Sequence, residues 1–414
     1  GGSLIWPVLA GLGYRVAGLI GTRAVAAIVT VGGLAAFSRA VANIFDERVS
    51  FWATVALALN GPFLALARLG VYDTLALSGV AVALWAITEL ERRDHRGWLV
   101  AAAGAFAVAV FAKYPIGVMA VPLLGTLLFL REDRATMDIL LFAFLAGAVG
   151  LAFFLPVREQ VGEFFNWRLE NRPTFGVPYE IIVFVIVYLS ALPLVLALSG
   201  WFIVSDRRWL ASLMLLSLLI WPAYHLITGD PVSTNKHLVF GYLFAYPLAG
   251  VTLSTLWGDP GTGVVRKGLT VLVILVVAGL GLVQANQSDR SWPDVRPAAA
   301  YLIDRVEPGE QLLINESWPY TMYLYTSGSV DSPWDVYDQY RITHETSAPS
   351  ICEYDWFVDS RGSFAWSEEV LDQVEACDTY EQVFSSTSMV INLGANFRYV
   401  SSPVDVVVWR NTPE

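Results

Sequence analysis

Charged residues are scarce in this chain of 414 residues: they make up 15% of it, against 55% hydrophobic residues. A typical soluble domain carries about 25% charged residues. A chain this apolar cannot cover its surface with polar groups, which excludes an ordinary soluble globular protein. Cysteine is scarce too, with two residues, Cys352 and Cys377, both near the C-terminus.

Several familiar signatures are also missing from the sequence. It has no His/Cys metal spacing, no P-loop and no nucleophile elbow, so no metal-ligand set is predicted. The chain begins Gly1-Gly2-Ser3, without Met and without a secretory signal. We therefore expect it to be an N-terminally truncated fragment.

Acidic residues are concentrated in one segment. Residues 286–414 hold 21 Asp and Glu against 7 Lys and Arg, a net charge of −14, whereas residues 1–285 hold 16 against 19, a net of +3. This split predicts two domains, a transmembrane domain at 1–285 and a separate domain at 286–414. An acidic segment of this kind argues against nucleic acid as a partner.

Long apolar runs fill the first 285 residues. Most approach the roughly 20 residues that a bilayer core requires, and backbone inside lipid must pair within its own segment, so the runs are predicted to be helices. Residues 4–20 are interrupted by Pro7 and Arg15, and we expect an interfacial helix or a partial span there. The fold class predicted is an α-helical polytopic membrane protein of about ten spans, at 23–45, 49–67, 74–90, 97–112, 115–130, 137–156, 180–204, 209–227, 238–257 and 268–285.

The connections between these runs alternate in character. One set is short and basic, for example residues 91–96 and 131–134, and holds 10 Lys and Arg against 8 in the other set. Short basic loops stay in the cytoplasm. An even number of spans then places the acidic domain outside, so we expect a multi-pass plasma-membrane protein with an extracytoplasmic C-terminal domain. That location favours a Cys352–Cys377 disulfide, with two buried free thiols as the alternative.

The acidic segment is predicted to be a soluble α/β domain. A helical pattern over 291–306 ends at Pro308-Gly309, and 311–315 indicates a short strand. Residues 355–358 and 404–409 are typical of buried strands. Residues 367–376 predict a further helix.

Charged residues at membrane depth are costly, so each is a functional candidate or is paired. Arg68 and Asp73 lie between two runs, where they could line a pocket or form a local pair. Lys113 ends a run and could hold a phosphate or simply extend its ammonium to the interface. Lys236 and His237 open another run and could bind an anionic group, or belong to a solvated loop with an aromatic belt.

The loop at 157–179 combines cations with aromatic residues. Arg168 and Arg172 are candidates for substrate binding, although the neighbouring Phe164, Phe165 and Trp167 are typical of an interfacial anchor. Arg and Lys on the outer side suit a phosphate on a lipid carrier.

The order of these residues resembles the GT-C glycosyltransferases that use polyprenyl-phosphate sugars, the protein-mannosyltransferase-like and aminoarabinose-transferase-like group. The resemblance covers about residues 1–285. It is carried by Gly2–Tyr14 with Gly18 and Arg23, Leu66-Ala67-Arg68 with Asp73, Ala112-Lys113 with Gly117, and Asn235-Lys236-His237 followed by Tyr242, Tyr246 and Pro247.

The resemblance implies roles for particular residues. Asp73 would match the second active-site carboxylate, while Arg68, Lys113 and Lys236 would surround the lipid phosphate. The principal carboxylate of the family lies in its first outer loop, upstream of Gly1. The implied reaction transfers a sugar from a polyprenyl-phosphate donor to a lipid, glycan or protein acceptor at the outer face, in contact with membrane lipids.

The sequence leaves alternatives open for both the cofactor and the function. No cofactor is implied with certainty, and a divalent metal is left open. A membrane transporter is a second hypothesis, although the sequence lacks paired Gly/Pro-broken helices in matching halves. A non-catalytic membrane scaffold whose outer domain binds a partner is a third.

Overall fold

The computed structural model describes residues 5–69, 71–159, 162, 178–229, 233–258, 263–315, 317–338, 341–342, 348–360, 368–393 and 397–412. The chain divides into two compact units, Gly1–Ala285 and Asn286–Glu414. The first unit is helical, and the second contains a β-sheet.

The helices of the first unit follow the apolar runs of the sequence. In chain order they are α1 (Ile5–Ile44), α2 (Glu47–Ala58), α3 (Gly61–Arg68), α4 (Asp73–Arg93), α5 (Gly97–Ala112), α6 (Ala120–Leu130), α7 (Ala135–Phe154), α8 (Tyr179–Ile203), α9 (Arg208–Ser217), α10 (Ile220–Thr228), α11 (Thr234–Trp257) and α12 (Val264–Asp289). A 3₁₀ segment, Tyr114–Met119, precedes α6.

Within the described residues, seven helices are long and apolar enough to cross a membrane when α9 and α10 are counted together as Arg208–Thr228. The number rises to eight if the bent pair of α2 and α3 is one span. The α5 helix and the Tyr114–Leu130 segment are apolar but shorter, at 10–17 residues. The predicted polytopic helical fold is therefore confirmed. Each of the ten predicted runs coincides with helix, although two of them are too short to qualify as spans by length.

The N-terminal segment, predicted to be an interfacial helix or a partial span over residues 4–20, is continuous with the first membrane-length helix. Residues 5–44 run as α1, with non-helical backbone at Ala17 and Gly18. Gly18 has φ +58°, a conformation that glycine adopts without a steric cost. The membrane-length part begins after this break, at Ile20.

Two helices form the centre of the membrane unit. The apolar window of α11 is 89% buried and that of α4 is 78% buried, against 11% for α7. Small residues allow the neighbours of α11 to approach closely. The backbone of Leu248 packs directly on Gly200 of α8, and Gly250 packs on Ala53 of α2.

A bend of 66° separates α2 from α3. Asn60 caps α3, its side chain accepting a hydrogen bond from the Phe63 amide at 3.2 Å. Gly281 of α12 lies directly against the Leu59 carbonyl, leaving no space for a side chain. Gln284, one turn further along α12, packs on Gly61 and donates a hydrogen bond to the Tyr188 carbonyl at 2.9 Å.

The second unit contains a five-stranded sheet in the order β2-β1-β3-β5-β4. The strands β1 (Leu312–Ile314), β2 (Val336–Tyr337) and β3 (Trp356–Ser360) are parallel, whereas β4 (Tyr380–Leu393) and β5 (Tyr399–Asn411) form an antiparallel hairpin. The unit also contains the helices α13 (Arg296–Ile303), α14 (Ser317–Ser327) and α15 (Glu368–Glu375). The predicted α/β class is confirmed.

The core of this unit lies on both faces of the sheet. Trp356 and Val408 pack with α13 and α14 on one face, and Phe357 packs with Val374 of α15 on the other. Cys352 and Cys377 are joined by a disulfide, with their Cα atoms 5.6 Å apart. This bond links the residues before β3 to the end of α15.

Candidate active site

The two central helices begin at the same cluster of polar side chains. Asp73 is the first residue of α4, and Lys236 and His237 lie in the first turn of α11. Lys113 follows the last residue of α5. Asp73, Lys113, Lys236 and His237 together form the cluster. Because backbone N–H groups at a helix start are directed outward with a partial positive charge, two such helix starts favour an anion.

A buried ion pair joins two members of the cluster. The Lys113 ammonium donates to the Asp73 carboxylate across 40 residues of sequence, and the side chains are 8% and 2% exposed. The ammonium also lies 5.9 Å from the centre of the Tyr72 ring. Asp73 suits its place because a carboxylate is favourable at a helix N-terminus. Breaking a buried pair leaves an uncompensated charge, so each partner fixes the other.

Lys236 adds a second ammonium to the cluster. It lies near enough to Lys113 and His237 to repel positive charge on both. The first turn of α11 carries no acidic residue, so Lys236 stands unfavourably at the positive end of a helix. Asp73 is the one carboxylate among these four residues and it is paired with Lys113, so an anion bound beside the two lysines would offset the excess of positive charge.

A pair of buried histidines lies beside the lysines. His237 Nδ1 and His225 Nε2 are 3.0 Å apart, and one ring donates the hydrogen bond to the other. The Trp221 ring covers His237, with centroids 4.4 Å apart, and Tyr224 meets both imidazoles edge-on. This aromatic packing fixes the orientation of His237. His225 was not among the residues predicted for the site, and its contact with His237 joins α10 to α11.

The structure places the other predicted residues differently. Arg68 is the last residue of α3 and is exposed, five positions before Asp73. Arg168 and Arg172 lie outside the residues that the structure describes. Tyr242 and Tyr246, which carry part of the family resemblance, are fully buried within α11.

Across the described ranges, no group of three or more His, Cys, Asp and Glu side chains is arranged to hold a metal ion.

A protein-family model matches part of the chain. Residues 6–158 match the family model described as dolichyl-phosphate-mannose-protein mannosyltransferase. This range contains both Asp73 and Lys113. No curated protein matched the chain in a sequence comparison.

Solved structures with a similar fold were found along almost the whole chain. ArnT from Cupriavidus metallidurans in the apo state aligns with a TM-score of 0.60 and 14% identity, over 97% of this chain and 86% of that one. The same protein bound to undecaprenyl phosphate aligns with a TM-score of 0.53 and 15% identity, over 98% of this chain and 87% of that one. The Archaeoglobus fulgidus oligosaccharyltransferase tethered to an acceptor peptide aligns with a TM-score of 0.52 and 11% identity, over 97% of this chain and 65% of that one. At these identities the likeness establishes the fold.

Proposed function

We propose that this polytopic membrane protein is a glycosyltransferase of the GT-C type, which transfers a sugar from a polyprenyl-phosphate donor to an acceptor at the outer face of the membrane; the family match over residues 6–158 and the similar folds support this proposal. The observation that carries this proposal is the cluster itself. A buried Asp73–Lys113 pair, a second lysine and an oriented histidine converge where two central helices begin.

Phosphate is the anion that this cluster suits best. In the transfer, the acceptor nucleophile attacks the anomeric carbon, the bond from that carbon to the phosphate oxygen breaks, and the carrier phosphate leaves with the electron pair. Lys113, Lys236 and the first turn of α11 would hold this phosphate, with Arg68 nearby in sequence. Preset cations in a site shielded from water stabilise a developing anion strongly. The related ArnT structure with undecaprenyl phosphate supports this choice of carrier.

Asp73 has a role that follows from its ion pair. Its carboxylate is engaged by Lys113, so we assign it to positioning the ammonium rather than to deprotonating the acceptor. When the donor binds, its phosphate takes part of the charge of Lys113, and Asp73 keeps the ammonium in place. The base that receives the acceptor proton is expected to be the principal carboxylate of the family.

The outer-face location is supported by the direction of α4. This helix begins at Asp73 and ends at Arg93, and its 21 residues span about 30 Å. Arg92 and Arg93, together with Arg131 and Arg134 in the next basic hairpin, contribute to the loops expected in the cytoplasm. Arg134 and Arg131 both bind Asp94, which directly follows α4. The cluster is therefore at the opposite end of α4 from these loops.

The sequence provides a matched control for testing the phosphate assignment. The chain has three lysines, and the third, Lys267, lies near the start of α12. Membranes containing the full-length protein would be assayed for transfer of labelled sugar from polyprenyl phosphate. We expect Lys113→Ala and Lys236→Ala to lower turnover about 100-fold or more, and Lys267→Ala to retain it. Equal activity in all three variants would show that the cluster does not hold the donor.

Sidedness requires its own experiment. Both native cysteines are in the disulfide, so a single introduced cysteine can be labelled with a membrane-impermeant maleimide. We expect Tyr325→Cys to react on intact cells and Arg96→Cys to react only after permeabilisation. The reverse pattern would place the cluster and the acidic domain in the cytoplasm.

A further inference from the structure

A cavity of about 450 Å³ lies between two short loops of the membrane unit, at the end of α4 opposite the candidate active site. The loop that joins α4 to α5 contributes Asp94 and Arg96 to its lining. The loop that joins α6 to α7 contributes Arg131, Asp133 and Arg134. Sites for small molecules commonly measure about 300–1,000 Å³, so the cavity is large enough for a ligand.

Ion pairs join the two loops and give the cavity its shape. Arg131 donates to Asp94 at 2.6 Å and to Asp138 at 3.0 Å, and Arg134 binds Asp94 at 2.7 Å. The side chains of Arg131 and Asp138 are 9% and 6% exposed. These residues therefore support the wall of the cavity, because their charges already compensate one another.

Two further charges at the cavity are not used in this way. Arg96 and Asp133 are exposed, and neither forms an ion pair with any side chain in the part of the chain that the structure describes. Three arginines and three aspartates are among the described residues of the lining, so their formal charges cancel. A ligand with one negative and one positive group can therefore pair with both free charges. An anion alone would leave Asp133 uncompensated.

An apolar stripe of α7 begins at the same cavity. Met137 and Leu140 belong to its lining and are each 61% exposed, and Phe144 is 69% exposed. The spacing of these three residues places them on one face of the helix. The apolar window of α7 is long enough to cross a membrane and is 11% buried, so this face meets lipid. An acyl chain packed along the stripe would lead to the cavity, at the level where lipid headgroups lie.

We propose that this cavity binds the headgroup of a phospholipid that carries both a phosphate and a primary ammonium group, as phosphatidylethanolamine does. Arg96 and Arg134 bind the phosphate oxygens, which guanidinium groups match in geometry. Asp133 accepts hydrogen bonds from the ammonium, and one acyl chain packs on Met137 and Leu140. The lipid belongs to the leaflet opposite the candidate active site, and its binding is independent of the proposed sugar transfer.

Native mass spectrometry of the purified full-length protein tests the proposal, because it counts the lipid molecules that remain bound. The delipidated protein is offered equal amounts of phosphatidylethanolamine, phosphatidylglycerol and phosphatidylcholine. We expect phosphatidylethanolamine to bind several-fold more than the other two. Phosphatidylglycerol lacks an ammonium group, and the quaternary nitrogen of phosphatidylcholine has no hydrogen to donate. Equal binding of the three lipids would overturn the proposal.

Two substitutions distinguish the phosphate contact from the ammonium contact. Arg96→Gln should lower the binding of phosphatidylethanolamine and phosphatidylglycerol alike, by about tenfold, because both phosphates lose a cation. Asp133→Asn should lower the binding of phosphatidylethanolamine and remove its preference over phosphatidylglycerol. Glu132→Gln alters an exposed neighbour outside the lining and should keep the wild-type pattern. A preference for phosphatidylethanolamine that survives Asp133→Asn would contradict the assigned ammonium site.

A soluble headgroup distinguishes a lipid from a free phosphate compound. Phosphoethanolamine, which has no acyl chain, is added at the same concentration as the lipid. We expect it to leave phosphatidylethanolamine bound, because it makes no contact with the apolar stripe of α7. Displacement at equal concentration would show that the cavity takes a soluble molecule, which would overturn its assignment to a lipid. All three variants should keep the wild-type melting temperature, since exposed substitutions outside packed contacts change stability little.

Discussion

Lys113 and Asp73 form a buried ion pair although they lie 40 residues apart in the chain. Asp73 is the first residue of α4, and Lys113 directly follows α5. Each is the partner that allows the other to remain charged inside the protein. The pair therefore contributes to two properties that can be separated by mutation, namely the stability of the membrane unit and the charge available to a bound phosphate.

The first prediction separates these properties. Asp73→Asn leaves an ammonium buried without its carboxylate, and we expect it to lower the free energy of unfolding by about 3–5 kcal/mol. The double variant Asp73→Asn, Lys113→Met removes both charges and should recover much of this stability. It should not recover sugar transfer, because the phosphate has lost a cation. Thermal unfolding in detergent measures the stability of each variant, and the membrane assay measures its sugar transfer. A double variant that regains transfer would contradict the assigned role of Lys113.

A second prediction concerns the histidine pair. His225→Leu removes the hydrogen-bond partner of His237 Nδ1, so we expect the ring to lose its fixed orientation and donor affinity to fall. His225→Gln supplies an amide that can replace this bond and should restore part of the affinity. The measurement is KM for the polyprenyl-phosphate sugar in each variant. Equal KM values for His225→Leu and the wild type would show that His225 only fills space.

The third prediction concerns the disulfide. Cys352 and Cys377 close a segment with a sequence separation of 25, and a loop of this length contributes about 3 kcal/mol through the entropy of the unfolded chain. Reduction, or Cys377→Ser, should therefore make β3 and α15 more sensitive to protease. Limited proteolysis with and without reductant measures this, and the membrane helices act as an internal reference. Identical cleavage under both conditions would contradict the expected contribution.

A fourth prediction tests the central packing of α11. A Cβ at Gly200 would collide with the backbone of Leu248, whereas a Cβ at Gly104 meets no atom within 4 Å. We expect Gly200→Ala to destabilise the membrane unit by about 1–3 kcal/mol through overpacking. Gly104→Ala should be neutral or slightly stabilising. Thermal unfolding of the two variants compares them directly, and equal melting temperatures would argue against close contact of α8 and α11.

Hydropathy was sufficient to predict the helical membrane part, since inside lipid an apolar run of this length leaves the backbone few alternatives to a helix. It could not show that α2 and α3 bend at Leu59–Asn60, because the bend depends on contacts with Gly281 and Gln284 far along the chain. The long strand β4 was not predicted. Its sequence mixes polar and apolar residues without clear alternation, and its pairing with β5 defines it.

The candidate site shows a similar division. The free-energy cost of placing an ionisable side chain within a membrane made Asp73, Lys113, Lys236 and His237 candidates, each considered separately. The pairing of Lys113 with Asp73 is a tertiary contact that no local pattern contains. His225 had no sequence signal of its own, since a single histidine near the end of an apolar run also suits a core position. Its contact with His237 emerges only when α10 and α11 pack together.

The bend between α2 and α3 has a consequence for the order of assembly. Gly281 fills the space beside the Leu59 carbonyl, and Gln284 packs on Gly61, the first residue of α3. Both belong to α12, which follows the other membrane-length helices of the described residues in the chain. The start of α3 thus gains its final support only after more than two hundred further residues have left the ribosome. Translation must pass beyond α12 before the helix that leads to Asp73 is fully packed.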